Sequence, residues 1–130
     1  MRRVKMSFIE VKKGIIKAKL PKREAPTAKV AWEDAFYIPG KFSAGMAETI
    51  SGKTIGPEMR YNEILLILKG EAEIVERKTG EKYIVKRGDA VLLKEGAKVT
   101  ITVKKPIRYL YVTIPPHSEL AEVYYLEKEE

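Results

Sequence analysis

Residues 61–74 read YNEILLILKGEAEI, a pattern of strand and turn residues from which the fold class follows. A carboxylate, Glu63, precedes five consecutive apolar residues, and Gly70 stands just beyond them. A short apolar run that ends at a turn residue is typical of a buried strand. Gly70 then allows a tight reversal into a second run, 71–77. We therefore predict two strands, 63–69 and 71–77, that are hinged at Gly70.

The residues on either side continue the strand pattern. Turn residues recur about every eight to twelve positions, which indicates an antiparallel sandwich or barrel. From 97 to 103 apolar and polar residues alternate strictly, and Pro106 is predicted to break the chain before a last strand. The remaining predicted strands are 8–20 (one or two), 42–48, 83–85, 90–93 and 107–114. A polar connection is expected at 21–29, and Ser118 is expected to cap a short helix that ends at Glu127.

Composition limits the class of protein. A chain of 130 residues forms one domain, and 45% hydrophobic residues exclude a disordered chain. The longest apolar run is far too short to span a membrane, and there is no cysteine to form disulfides. We expect a cytoplasmic protein that does not contact membranes. Enrichment in Lys and Glu, with one Asn and no Gln, is typical of a thermophile.

The positive charge is concentrated near the N-terminus. Residues 1–29 contain ten Lys or Arg and two Glu, whereas the net charge of the whole chain is +7. Such a segment binds nucleic acid through phosphates, or it forms a solvated edge strand that resists aggregation. We favour the edge strand, because no aromatic residues interleave with these charges. Nucleic-acid binding through residues 1–29 remains the alternative.

Two motifs resemble those of the cupin superfamily. The segment from Glu63 to Gly70 is similar to the end of the first cupin motif, and residues 88–96 (GDAVLLKEG) are similar to the second. The resemblance implies an all-β fold, a jelly-roll antiparallel β-barrel with a short C-terminal helix. It also places Glu63 in the lumen. Cupins that bind metal carry three histidines, yet Met59 lies in the window of the first two and Val99 stands at the third.

We therefore expect no bound transition metal and no cofactor. The single histidine, His117, follows two prolines and is predicted to be a surface or capping residue.

One cupin subfamily also lacks these metal-binding histidines. Tyr61–Ile64, Gly88-Asp89 and especially residues 108–115 (RYLYVTIP) resemble the cupin domain of the ethanolamine-utilisation Q protein family. The resemblance covers residues 40–116, so we divide a single domain into a basic N-terminal part (1–39), a cupin core (40–116) and a C-terminal helix (117–130). It implies an association with ethanolamine breakdown and microcompartments, and an acetate-kinase-like activity.

Candidate site residues follow from strand parity. Tyr61 shares a face with Glu63, and Glu48 shares a face with Met46, so that Glu48 is predicted to approach Glu63. Glu58 occupies the window of the missing histidines. Glu48, Glu58, Tyr61 and Glu63 then form a candidate acid–base cluster, unless Glu48 and Glu58 are rim charges paired with lysines. The candidate ligand-binding residues are Glu63, Tyr61, Glu48, Met59, Arg108 and Tyr111. Arg108 and Tyr111 differ in parity, so only one of them faces inward.

The predicted function is binding of a small polar metabolite in a lumen that is metal-free or binds metal only weakly. One alternative is an enzyme that uses a carboxylate-held hard cation or carboxylate acid–base chemistry, of an acetate-kinase-like or isomerase-like type. The other is a structural or regulatory module. Because both faces of 64–68 are apolar, we also predict a homodimer.

Overall fold

The computed structural model describes residues 8–23 and 27–119. Within these ranges the chain forms seven strands and two single-turn 3-10 helices, Ile15–Lys17 and His117–Glu119. The strands are β1 (Lys22–Arg23), β2 (Ala28–Ile38), β3 (Phe42–Ile55), β4 (Asn62–Glu76), β5 (Lys82–Lys86), β6 (Ala90–Leu93) and β7 (Val99–Ile114). The predicted helix 118–127 lies mostly outside the described residues.

All seven strands pair antiparallel in one sheet with the order β1-β2-β3-β7-β4-β5, and β6 pairs with β4. The first half of β4 pairs with β6 and its second half with β5, while β7 runs along the whole of β4. The sheet bends around an interior without closing edge to edge. The prediction of an all-β jelly roll of the cupin type is confirmed.

Alternate residues of the three long strands face the interior. In register, Ser43 opposes Thr113 on one side of β7, and Leu65 opposes Tyr111 on the other. These four side chains are buried, as are Ala47, Thr49, Glu63, Ile67 and Ile107. On the opposite face of the same sheet Ile64 and Leu66 are exposed. The alternation therefore separates a filled interior from an apolar outer surface.

Pro106 does not break the last strand, contrary to prediction, because β7 is continuous from Val99 to Ile114. Both neighbours of β7 lose register near this point. The pairing with β4 shifts on either side of Lys69, and the pairing with β3 skips from Thr49 to Lys53. Proline is tolerated where a ladder is interrupted by a bulge. Gly70, with φ of 86°, fits directly against the carbonyl of Pro106 at this bend. β4 continues through Gly70 as one strand, so the prediction of two strands joined by a tight reversal there was wrong.

The prediction for the N-terminal part was wrong in detail. Residues 8–21 contain no strand, and their one regular element is the turn Ile15–Lys17. The carbonyls of Ile16 and Ala18 accept hydrogen bonds from the Arg108 side chain, so this backbone pairs with a side chain and not with a strand. The sheet instead begins at β1 and β2, inside and beyond the predicted polar connection. The strand predicted at 90–93 is confirmed without change as β6.

The described part of the chain contains no helix with the length and apolar character needed to cross a membrane.

Candidate functional site

Two small cavities adjoin inside the barrel. Their volumes are about 40 Å³ and about 20 Å³. Both are lined by Trp32, Ala47, Glu63 and Tyr109. The larger cavity extends to Met59 and Val99, and the smaller one reaches Tyr61, Tyr111 and His117. Because about 10–15 Å³ is enough for one water molecule, the interior has room for only a few small groups.

Glu63 is the carboxylate that both cavities share. It begins β4, lies opposite Thr113 of β7 and Leu93 of β6, and is only 8% exposed. Burial of Glu63 is what the sequence predicts. Tyr61, which precedes the strand, is 2% exposed and lines the smaller cavity. A carboxylate and a phenol thus line the same small buried cavity, where electrostatic interactions are strong.

The two tyrosines of β7 also face this space. Burial raises the pKa of the Tyr109 phenol, and the negative charge of Glu63 raises it further. Burial raises the pKa of Tyr111 as well, followed by its hydrogen bond to Asp34 and the charge of that carboxylate. Both phenols therefore keep their protons at neutral pH and act as hydrogen-bond donors and not as bases.

Three polar side chains close one end of the interior. The Tyr111 hydroxyl donates to Oδ1 of Asp34, and Nε2 of His117 lies 3.1 Å from the same oxygen. The His117 ring packs edge-on against Trp32 and Tyr111, with centroid separations of 4.8 Å and 5.6 Å. The backbone N–H of His117 donates to Thr113 Oγ1 at 2.9 Å. These contacts fix the turn after β7 against the end of the barrel.

His117 is 3% exposed, so the prediction of a surface histidine was wrong. Trp32 and Asp34 were not predicted as site residues. Both lie on β2, which the sequence pattern did not reveal. The signals that were available are that Trp32 is the only tryptophan and that His117 directly follows a strand-ending Pro-Pro pair.

Glu48 does not share the interior face with Glu63, contrary to prediction, although it borders the larger cavity. It pairs in register with Arg108 on the outer face of the sheet, and its Oε2 lies 2.9 Å from Arg108 Nη1. The interior face of β3 carries the small residues Ser43, Gly45, Ala47 and Thr49, because the large tyrosines of β7 occupy the space opposite them. The prediction placed the face of β3 that carries Met46 in the interior because this residue is hydrophobic. It therefore exchanged the inner and outer faces of the strand. Of the Arg108 and Tyr111 pair, Tyr111 is the one that faces inward.

Glu58 is also outside the interior. It forms an exposed ion pair with Lys78, and this hydrogen bond lowers the pKa of the Glu58 carboxyl. The four-membered acid–base cluster is therefore reduced to Tyr61 and Glu63. Met59, the next residue, is buried and lines the larger cavity. Within residues 8–23 and 27–119, no three His, Asp or Glu side chains are grouped closely enough to hold a metal ion.

The raised tyrosine pKa values predict a loss of stability in alkali. In the unfolded chain these phenols titrate near pH 10.0, while in the folded protein they stay protonated to higher pH. The stabilisation is therefore complete below pH 10 and is lost as the pH rises above it, by up to about 1.4 kcal/mol per pH unit for each phenol. Urea unfolding between pH 9 and 11 should show this slope, and Tyr111→Phe should reduce it. Tyr83 is exposed, and mainly its hydrogen bond to Glu81 raises the pKa of its phenol, so Tyr83→Phe should reduce the slope less than Tyr111→Phe does. Equal slopes in the wild type and in Tyr111→Phe would contradict the assignment.

Comparisons with known proteins agree with this architecture. Residues 39–111 match the family model of the EutQ-like cupin domain. Among solved structures, the EutQ protein of Clostridium difficile superposes with a TM-score of 0.66 at 23% identity, over 75% of this chain and 81% of that one. A putative ethanolamine utilization protein Q from Salmonella typhimurium has a TM-score of 0.57 at 24% identity, over 67% and 70% of the two chains.

The ectoine synthase of P. lautus is similar over 95% of this chain and 92% of its own, with a TM-score of 0.65 at 18% identity. No curated protein matches the sequence. At these identities the solved structures establish the fold alone.

Proposed function

This chain belongs to the family of EutQ-like cupin domains, and on that premise we propose that its barrel binds a small polar molecule in the interior. The observation that supports the proposal is that Glu63 and Tyr109 line both cavities, while Tyr61 and Tyr111 line the smaller one. A few polar groups in a mostly apolar cavity are the usual composition of a ligand site. The small volume limits the ligand to a few non-hydrogen atoms or to one end of a longer molecule.

The charge of the lining indicates which ligands fit. Glu63 borders both cavities, whereas no Lys or Arg does so among the residues that the structure describes. Phosphate or carboxylate ligands would meet a negative interior without a positive partner, which is unfavourable at low dielectric. Amines and alcohols suit the site better, because they donate to Glu63. Aromatic faces around the carboxylate further favour an ammonium group.

A second candidate is acid–base chemistry on the bound molecule, of an isomerase-like type. The contact of Tyr111 and His117 with Asp34 favours it, because it brings three ionisable groups to one end of the cavity that Glu63 borders. Glu63 is then a candidate base of this site, whereas both tyrosines of β7 remain protonated. An acetate-kinase-like reaction has less support, because phosphoryl transfer needs cations around the phosphate.

Ligand-dependent melting tests the binding proposal. The purified protein is heated with a panel of small amines, alcohols, carboxylates and phosphates, each at millimolar concentration. A ligand at ten times its Kd stabilises the fold by about 1.4 kcal/mol, which raises Tm by several degrees. We expect amines or alcohols to give this shift and anions to give none.

Glu63→Gln keeps the volume of the side chain and removes its charge, so it should abolish the shift produced by amines. Glu58→Gln, a matched change on the surface, should respond like the wild type. The proposal fails if no compound shifts Tm, or if Glu63→Gln responds as strongly as the wild type.

We further propose that the barrel carries no iron, zinc, nickel or copper. These ions are held mainly by imidazole and thiolate, and here Val99 stands where a cupin would supply its third histidine. His117, the single histidine, has its Nε2 beside Asp34. Elemental analysis of the protein after dialysis against a chelator should find far less than one such ion per chain. About one ion per chain that is lost in Glu63→Ala would overturn this prediction.

The exposed outer face of β4 and β6 supports a homodimer. Ile64 is 37%, Leu66 43% and Leu92 55% exposed, and Ile64 lies in register with Leu92. Their in-register neighbours on this face, Ala90, Leu110 and Val112, are also uncharged. Because the patch has no charge to repel its own copy, it is complementary to itself under two-fold symmetry. We propose that a second copy of the chain covers it.

Light scattering during gel filtration should therefore give the mass of two chains. Leu66→Lys and Leu92→Lys each place a charge in the patch and should yield the mass of one chain. Ile84→Lys is the matched control, since Ile84 is 56% exposed but lies on β5, beyond the patch. A monomeric wild type, or dimers that persist in both patch variants, would rule out this interface.

A further inference from the structure

A groove of about 1020 Å³ lies on the outside of the barrel. One wall is the N-terminal segment from Lys17 to Arg23, and the other is formed by residues of β2 and β3. Apolar side chains from both walls line it, including Leu20, Val30 and Ile50. The groove borders the larger interior cavity, with which it shares Val30, Ala31 and Glu48, but most of its lining lies outside that cavity.

The groove is strongly positive. Its basic residues are Lys17, Lys19, Lys22, Arg23, Lys29 and Arg108, and Glu48 is the single acidic residue in its described lining. Arg108 binds Glu48 at 2.9 Å, so these two charges neutralise each other. The other five cations remain uncompensated within the described lining. Their attraction for an anion is additive at the short range that salt leaves unscreened.

Two arginines hold the N-terminal wall in place. Arg108 donates to the carbonyls of Ile16 and Ala18, each at 2.6 Å. The Arg23 guanidinium lies 4.2 Å from the centroid of the Trp32 ring, and its Nε donates to the Trp32 carbonyl at 3.2 Å. The cations therefore stand on a backbone that is anchored to the barrel, unlike those of a solvated arm.

We propose that this groove binds the phosphate backbone of single-stranded nucleic acid without reading its sequence. Lys17 and Lys19 are two residues apart on a chain that is extended at Ala18, which spaces them about 6–7 Å apart along the wall. Several cations along one wall fit a linear polyanion better than a single anion. The apolar lining offers contact to the faces of unpaired bases, which a duplex keeps stacked inside. Within its described lining the groove has no tyrosine or phenylalanine, so stacking-based sequence preference is not expected.

Fluorescence anisotropy with a labelled mixed-sequence 12-mer of single-stranded RNA tests this proposal. Neutralisation of five phosphates gives a slope of log K against log salt of about −3.5 for a single strand. Affinity should therefore fall about a hundredfold between 50 mM and 200 mM salt. The triple variant Lys17→Glu, Lys19→Glu, Lys22→Glu should lose binding at 50 mM salt. The triple variant with Gln at the same three positions removes the charges without reversing them. It should lose less affinity than the Glu variant and show a shallower slope of log K against log salt than the wild type.

The matched control is Lys82→Glu, Lys86→Glu, Lys94→Glu, which changes the net charge equally on exposed positions away from the groove. It should bind RNA within about threefold of the wild type, since only long-range attraction is lost. Unchanged melting temperatures verify that each variant is folded. The proposal is overturned by absent binding at 50 mM salt or by equal losses in both triple variants. It is also overturned if polyglutamate or duplex DNA of equal charge binds as tightly as the single strand.

Discussion

The Gly45→Ala variant is expected to lose more than about 4 kcal/mol of unfolding free energy, enough to leave little of an ordinary domain's stability. A Cβ at Gly45 would lie 2.1 Å from the Glu33 carbonyl oxygen, 2.6 Å from the Tyr111 hydroxyl and 2.8 Å from Asp34 Cα. Two of these three atoms belong to the backbone of β2, which pairs with β3 at this point and cannot move alone. Relief of the overlap must separate the strands and displace Tyr111 from Asp34.

Urea unfolding measures the loss, and near-ultraviolet circular dichroism reports the displaced aromatic rings. Gly56→Ala is the matched control, because its added Cβ would meet only the Val99 carbonyl oxygen at 3.8 Å, an ordinary contact. We expect Gly56→Ala to change stability by less than about 1 kcal/mol. A Gly45→Ala protein as stable as this control would show that β2 does not lie against Gly45 as described.

Gly70→Ala is expected to destabilise the fold by more than about 3 kcal/mol, for two separate reasons. Its φ of +86° is a conformation that costs a side-chain-bearing residue about 1–2 kcal/mol. In addition, its Cβ would lie 2.0 Å from the Pro106 carbonyl oxygen and 2.8 Å from Ile107 Cα, where β4 and β7 bend together. Since both obstacles are backbone atoms, the bend itself would have to open.

Gly80→Ala separates the two costs. Gly80 has a similar φ of +78°, but a Cβ there would meet nothing within 4 Å, so this variant pays only for conformation. Chemical denaturation of both variants should therefore show a loss for Gly70→Ala at least about 2 kcal/mol greater than that for Gly80→Ala. Equal losses of unfolding free energy in the two variants would mean that the close packing of Gly70 on Pro106 does not contribute to stability.

Local strand and turn signals were sufficient for the limits of β6 but not at Gly70, where β4 bends and does not reverse. Ala90–Leu93 is bounded by Gly88-Asp89 and Lys94–Gly96, and its limits were predicted correctly. Pro106 and β2 were mispredicted for opposite reasons. A proline in a sequence indicates the end of a strand, unless the hydrogen bonding to both neighbouring strands is known to be interrupted at that point. β2 (AKVAWEDAFYI) contains charged residues that obscure its alternation of apolar and polar positions. Both errors arose because the deciding feature, the pairing with a neighbouring strand, is not visible in the local sequence.

Site residues were predicted correctly only where the alternation within a single strand was enough to show which side chains face the interior. Glu63 and Tyr61 face the interior because the apolar residues that follow them set the face of β4. On β3, the apolar Met46 suggested that its own face is the interior one, although the residues next to it are small. The small residues face the interior, because they lie opposite the large side chain of Tyr111. His117 is brought to Asp34 across 83 positions of sequence, a distance over which no local pattern carries information.

The anchoring of the N-terminal segment by Arg108 has a consequence for biosynthesis. The hydrogen bond from Arg108 to the carbonyl of Ile16 joins residues 92 positions apart. On the ribosome, the carbonyl of Ile16 is made 92 residues before its partner. Loop closure over such a distance is slow, so the segment docks late relative to its synthesis. Until Arg108 has been added and the loop has closed, the lysines of this segment therefore extend from an incomplete barrel, beside the polyanionic surface of the ribosome.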